Sequence, residues 1–229
     1  MAARRRAAAS ALALTLLVSG CAAGGAEEST DAEPAASPSP SEPSPQDLPP
    51  PAQDGRVGGA LSAAALPAPP GFRVVDDDDP PGDTGPFTLR SYVRAFYGGD
   101  KQLLKDVRLS RMRRGYHRYA EDGRGRWMHV YLFETRDNLG ATTLRSMLFG
   151  EDGAESYTVR SVDDAVGQIY RNRRDDDGRY SSVEIAFATG NVYARVIVAR
   201  RGGRPDPRLA EKLAAAQLAL LQQSFQPTA

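Results

Sequence analysis

The chain has 229 residues with 29 basic and 29 acidic side chains, and cysteine occurs once. A single thiol excludes an intrachain disulfide. The formal charge of zero conceals a polarity, because residues 22–85 hold 12 Asp/Glu against 2 Arg while residues 86–229 hold 24 Lys/Arg against 17 Asp/Glu. The basic excess belongs to one part of the chain, so net charge does not mark the whole as a nucleic-acid binder.

Arg4, Arg5 and Arg6 precede an uncharged, apolar-rich run from Ala7 to Val18, the layout of an export signal. A helix of that length spans roughly 18 Å, well short of the ~30 Å hydrocarbon core of a bilayer. Val18-Ser19-Gly20-Cys21 follows and resembles the lipobox of bacterial lipoproteins. The resemblance implies that residues 1–20 are a signal peptide and that the Cys21 thiol takes a diacylglyceryl group as a thioether. The chain is then cut before Cys21 and held at the extracytoplasmic face of the cell membrane. Two acyl chains suffice for stable anchoring, whereas one binds only marginally.

Residues 21–65 read as a lipidated cysteine and a disordered Pro/Ala/Ser-rich linker with no stable secondary structure between Ala22 and Ala65. The segment is rich in Ala, Pro, Ser, Glu and Gly, with no aromatic residue, and it cannot bury enough apolar surface to offset its ordering entropy. Fully extended from Ala22 to Ala65 it reaches ~140 Å; as a flexible coil it spans roughly 40 Å. Residues 66–229 are expected to form a single α+β domain.

Thr88 is placed to cap a helix carrying Leu89, Tyr92, Val93 and Phe96, with Phe87 stapling onto Tyr92. Gly98-Gly99 end it, and Asp100 caps a second short helix. "GYHRYA" and "RWMHVYLFE" flank "EDGRG", so residues 115–134 read as a β-hairpin. Thr135 or Asp137 starts a helix through Ala141, Leu144 and Leu148. "YTVRSV" and "QIYRNR" are strand candidates. "YSSVEIAFATGNVYARVIVAR" is the clearest hairpin. With Gly190-Asn191 as its turn, Val183 faces Val198, Ile185 faces Val196 and Phe187 faces Ala194, all on one face. Asp206 and Pro207 open a last helix with a stripe of Leu209, Leu213, Ala216 and Leu220. The expected architecture is an antiparallel sheet of hairpins with helices packed on one face. Its layout resembles small actinobacterial surface lipoproteins and secreted sensor domains.

Chemistry-bearing residues are sparse. His117 and His129 are the only histidines and sit on the two arms of one hairpin. Two imidazoles do not make a zinc site, and Glu121 or Glu134 would have to join them. "RRDDDGRYSSVE" fails as a calcium loop, because aligning Asp175, Asp177, Gly178 and Glu184 puts Arg173 where the ion needs an oxygen. It reads as a turn with solvated aspartates, as does Asp76 to Asp79. No G-x-S-x-G, phosphate loop or dinucleotide fingerprint is present. No cofactor, metal or catalytic residue is therefore expected. Arg108, Arg111, Arg113, Arg114 and Arg118 cluster beside Tyr116 and Tyr119, a candidate surface for anionic envelope polymers or lipid headgroups rather than nucleic acid.

The reading is a monomeric, membrane-anchored, non-enzymatic binding or interaction module of the cell envelope. The alternatives are a carrier of apolar or lipid ligands, which needs an internal cavity, and a hydrolase using His117 or His129.

Overall fold

Strands β8 (Gly178–Thr189) and β9 (Val192–Arg201) form the central hairpin of the structure, a computed structural model that describes residues 56–57, 59–76, 84–150, 153–175 and 177–226. Its register is the one the apolar pattern dictates: Val183 opposite Val198, Ile185 opposite Val196, Phe187 opposite Ala194. Gly190 makes the turn possible, with φ +50° at the first of the two turn residues, where a side chain would be strained.

The other strands are β1 (Arg56–Val57), β2 (Arg73–Val74), β3 (Gly85–Phe87), β4 (Arg114–Glu121), β5 (Arg126–Glu134), β6 (Glu155–Tyr157), β7 (Val166–Asp175) and β10 (Phe225–Gln226). Eight of the ten make one antiparallel sheet in the order β2-β4-β5-β9-β8-β7-β6, with β3 also on β4, while β1 pairs with β10. The helices are α1 (Leu61–Ala64), α2 (Leu89–Phe96), α3 (Lys101–Val107), α4 (Asn138–Leu148) and α5 (Pro207–Ser224), and a 3-10 turn, Arg108–Ser110, follows α3. Thr88, Asp100, Asp137 and Asp206 each cap a helix as their side-chain chemistry requires. Of the residues in "YTVRSV", only Tyr157 lies in a strand.

The α+β class and the antiparallel sheet are as expected, but the helices lie on both faces. On one face Val130, Leu132, Val183, Ile185, Phe187, Ala194 and Val196 pack against α1 and, through Ala210, Leu213 and Leu221, against α5. On the other, Tyr131, Phe133, Ala186 and Tyr193 pack against Tyr92, Val93, Val107, Ala141 and Leu144 of α2, α3 and α4. Expecting one covered face went wrong at Glu184 and Arg195, which alternate with the apolar residues of the hairpin and so point away from the first core, yet are only 4 % and 7 % exposed.

The folded part also begins upstream of residue 66. Leu61, Ala64 and Ala65 are buried in the first core. Gln217 of α5 accepts from the Leu66 N–H at 2.8 Å and donates to the Ala64 carbonyl at 2.7 Å. The Arg118 guanidinium donates to the carbonyls of Ser62, Ala65 and Leu66. These distant partners satisfy a backbone that has few apolar side chains of its own. The expected loop Asp76 to Asp79 lies largely outside the described residues.

The β4–β5 turn is organised by Asp122, which accepts from the N–H groups of Arg124 and Arg126 at 2.7 and 2.9 Å and from Arg126 Nε at 2.6 Å. Burial pulls its pKa up, but the Arg126 and Arg124 hydrogen bonds outweigh this and hold it down to about 2. A depressed carboxyl stabilises the fold fully above its ordinary value of about 3.9 and loses that contribution as pH falls through the lower one. A carbon-13 titration of Asp122 should therefore show its midpoint near pH 2, and a midpoint near 3.9 would contradict this turn geometry.

Candidate functional site

The second face of the sheet is only half roofed. A strand of twelve residues such as β8 runs about 40 Å. Helices of eight and eleven residues, α2 and α4, are about 12 and 16 Å long. They cover Phe133, Ala186 and Tyr193 and stop there. Beyond them lies an open cleft of about 310 Å³, with Ser182, Glu184, Arg195, Ile197 and Ala199 among its lining residues. Tyr92 and Phe96 of α2, Trp127, His129 and Tyr131 of β5, and Arg173, Asp175 and Tyr180 of the β7–β8 hairpin complete it. A second hollow of about 740 Å³ shares Trp127, His129 and Asp175 with it and continues toward Tyr119, Arg126 and Arg201.

An ion pair belongs to the cleft lining. Arg195 Nε donates to Glu184 Oε2 at 3.0 Å, its Nη2 donates to the same oxygen, and its Nη1 donates to the Tyr92 hydroxyl at 2.9 Å. Burial works against the Arg195 charge, but Glu184 outweighs it and raises the guanidinium pKa well above its ordinary value. Burial likewise pushes the Tyr92 phenol up, so the network stays a neutralised plus–minus pair with a neutral tyrosine. Glu184 Oε1 accepts no hydrogen bond from the described residues. Deeper in the covered half, the buried Tyr193 hydroxyl has no hydrogen-bond partner among the described residues.

The two histidines meet diagonally across β4 and β5, His117 being opposite Tyr131 and Tyr119 opposite His129. His117 Nε2 lies 2.9 Å from His129 Nδ1, so one ring donates to the other. Four near-parallel rings stack in a row: Tyr119 on His129 at 4.8 Å, His129 on His117 at 5.1 Å, and His117 on Tyr131 at 4.0 Å. Burial, then the neighbouring His117 and Arg195, hold the His129 pKa well below its ordinary value. His129 thus faces the cleft as a neutral ring. No group of three or more His, Cys, Asp or Glu residues suited to a metal ion forms among the described residues.

At the open end, Arg201 holds the β7–β8 turn by pairing with Asp175 at 3.2 Å and Asp177 at 2.7 Å. The same guanidinium lies over the Trp127 ring at 5.2 Å, and Trp127 lies 5.6 Å from Tyr180. Asp175 and Asp177, read from sequence as part of a solvated turn, thus brace the cleft wall through Arg201.

The five arginines of the cluster are placed differently. Arg118 clamps the chain at Ser62 to Leu66. Arg114 pairs with Glu134 and donates to the Gly59 carbonyl at 2.7 Å. Arg108, Arg111 and Arg113 are exposed. Cys21 lies outside the described residues. Sequence reasoning brought the two histidines together but missed the cleft, whose lining comes from four separate stretches of chain; the one early signal was a lone tryptophan beside a histidine on the same strand. No protein-family model, no curated protein and no solved structure matches this chain.

Proposed function

We propose that this protein is a membrane-anchored, extracytoplasmic binding module of the cell envelope, acylated at Cys21, and that the cleft on its sheet is the ligand site. The observation that carries the second part is the lining itself. Aromatic rings surround an ion pair that is already neutralised, with one carboxylate oxygen left to accept. Such a cleft favours a small, largely uncharged molecule with an apolar face and a hydroxyl or amide donor for Glu184. Burying a full charge there would find no unpaired counter-charge on the Glu184–Arg195 pair.

The hydrolase alternative draws on His129, which is neutral and shares the cleft with Ser182. Its Nδ1 is joined to His117, however, and Glu184 is committed to Arg195. A serine–histidine–acid relay needs the carboxylate on the imidazole, so the hydrogen bonding favours recognition over proton transfer.

Ala199 is a small, buried residue of the lining, and Ala199→Leu should fill the cleft. Native mass spectrometry of protein taken from membranes under mild conditions should show a bound small molecule that this variant has lost. A lipid mass would make the protein a carrier. Spectra free of any adduct in both forms would count against the cleft as a ligand site.

A further inference from the structure

The helix-covered end of the sheet carries an amphipathic surface that the cleft does not use. Leu109 and Leu139 are the most exposed large apolar side chains among the described residues, at 72 % and 77 %. They flank one contact: α4 sits against the 3-10 turn Arg108–Ser110 so closely that a Cβ on Gly140 would meet the Ser110 carbonyl oxygen at 2.2 Å. Only glycine permits this approach, and it sets the two leucine-bearing tips beside each other. Arg108, Arg111, Arg113 and Arg136 stand within four residues of one or the other leucine in the chain, all exposed. None of the four makes an ion pair with a carboxylate of the described residues. Nearby acids are engaged: Glu134 by Arg114, Asp137 by the Gly140 N–H, and Asp106 by Gln102.

The position of this surface matters as much as its composition. Arg114, at the start of β4, holds the Gly59 carbonyl, so residue 59 lies at this end. The cleft is at the other: β5 carries Glu134 at the arginine end and Trp127 at the cleft end, seven residues apart, or about 24 Å along a strand.

We propose that Leu109, Leu139, Arg108, Arg111, Arg113 and Arg136 form a docking surface for a phospholipid bilayer bearing anionic headgroups. The leucines enter the interface and the guanidinium groups bind phosphates. The domain then stands end-on upon the membrane with its cleft facing away from it. This adds a contact to the lipid-anchored reading above and does not require acylation to operate.

The test uses residues 21–229 with Cys21→Ser, which removes both the apolar signal and the acylation site while keeping every described residue. This chain should co-sediment with vesicles of phosphatidylglycerol in phosphatidylcholine, far less with phosphatidylcholine alone, and should be released by salt. Leu109→Ser with Leu139→Ser should weaken binding about tenfold, and each of Arg108→Gln, Arg111→Gln and Arg136→Gln about fivefold. All these positions are exposed, so melting temperatures should stay unchanged. Absence of binding by the parent chain, equal binding to neutral vesicles, or full binding by the double leucine variant would each overturn the proposal. So would binding to soluble polyphosphate that depends on the arginines but competes with vesicles irrespective of the leucines. Because no lipid anchor is present, none of these results bears on whether Cys21 is acylated.

Discussion

Glu184→Ala should destabilise this protein by about 3–5 kcal/mol, as much as Phe187→Ala on the opposite face of the same strand. The two losses have different causes. Removing the Phe187 ring leaves a cavity in a closed core, for which Phe→Ala changes cost about 3–5 kcal/mol. Removing the Glu184 carboxylate leaves the Arg195 guanidinium, 7 % exposed, without its counter-charge, and breaking a buried pair from one side costs about 3–5 kcal/mol. Tyr92 remains as a hydrogen-bond acceptor for Arg195 but supplies no negative charge while its phenol pKa is raised. Glu184→Gln combined with Arg195→Met should therefore be milder than Glu184→Ala alone, because it removes both charges together. Urea unfolding of the four proteins measures this. A Glu184→Ala loss within about 0.5 kcal/mol, the range for exposed positions, would place Glu184 in solvent and refute the two-sided sheet.

The second large effect is expected at Cys21. Each buried methylene contributes about 0.8 kcal/mol to membrane partitioning, and stable anchoring takes two signals. Cys21→Ala should abolish the acyl mass increment, so that the chain is either shed from the membrane or kept as an uncut precursor. With the docking surface intact, shed protein should retain a weak, salt-sensitive attachment. Normal cleavage together with unchanged, salt-resistant retention in the variant would contradict the lipoprotein reading.

The parts of the fold legible in the sequence are those governed by local rules. The β8–β9 register follows from alternating apolar residues about a two-residue turn, and four helices start at the residues whose side chains cap them. What escaped depends on pairing at a distance. Glu184 and Arg195 look polar in isolation and become buriable only because each neutralises the other. Leu61-Ser-Ala-Ala looks like linker because its backbone partners, Arg118 and Gln217, stand over fifty and over one hundred and fifty residues away. The cleft was illegible for a related reason: it exists because α2 and α4 are shorter than the strands beneath them, a mismatch that appears only when the helices are laid on the sheet.

Trp127 is the single tryptophan in the chain and it lines the cleft and the hollow beside it, so its emission reports on those two spaces, and Ala199→Leu singles out the cleft. The most direct measurement is to strip purified protein with organic solvent, refold it, and titrate the protein's own extract back while recording Trp127 fluorescence and its quenching by acrylamide. The cleft reading predicts a blue shift and protection from the quencher that Ala199→Leu abolishes. Emission and quenching that stay the same in both proteins across the titration would show that the cleft binds nothing the protein carries.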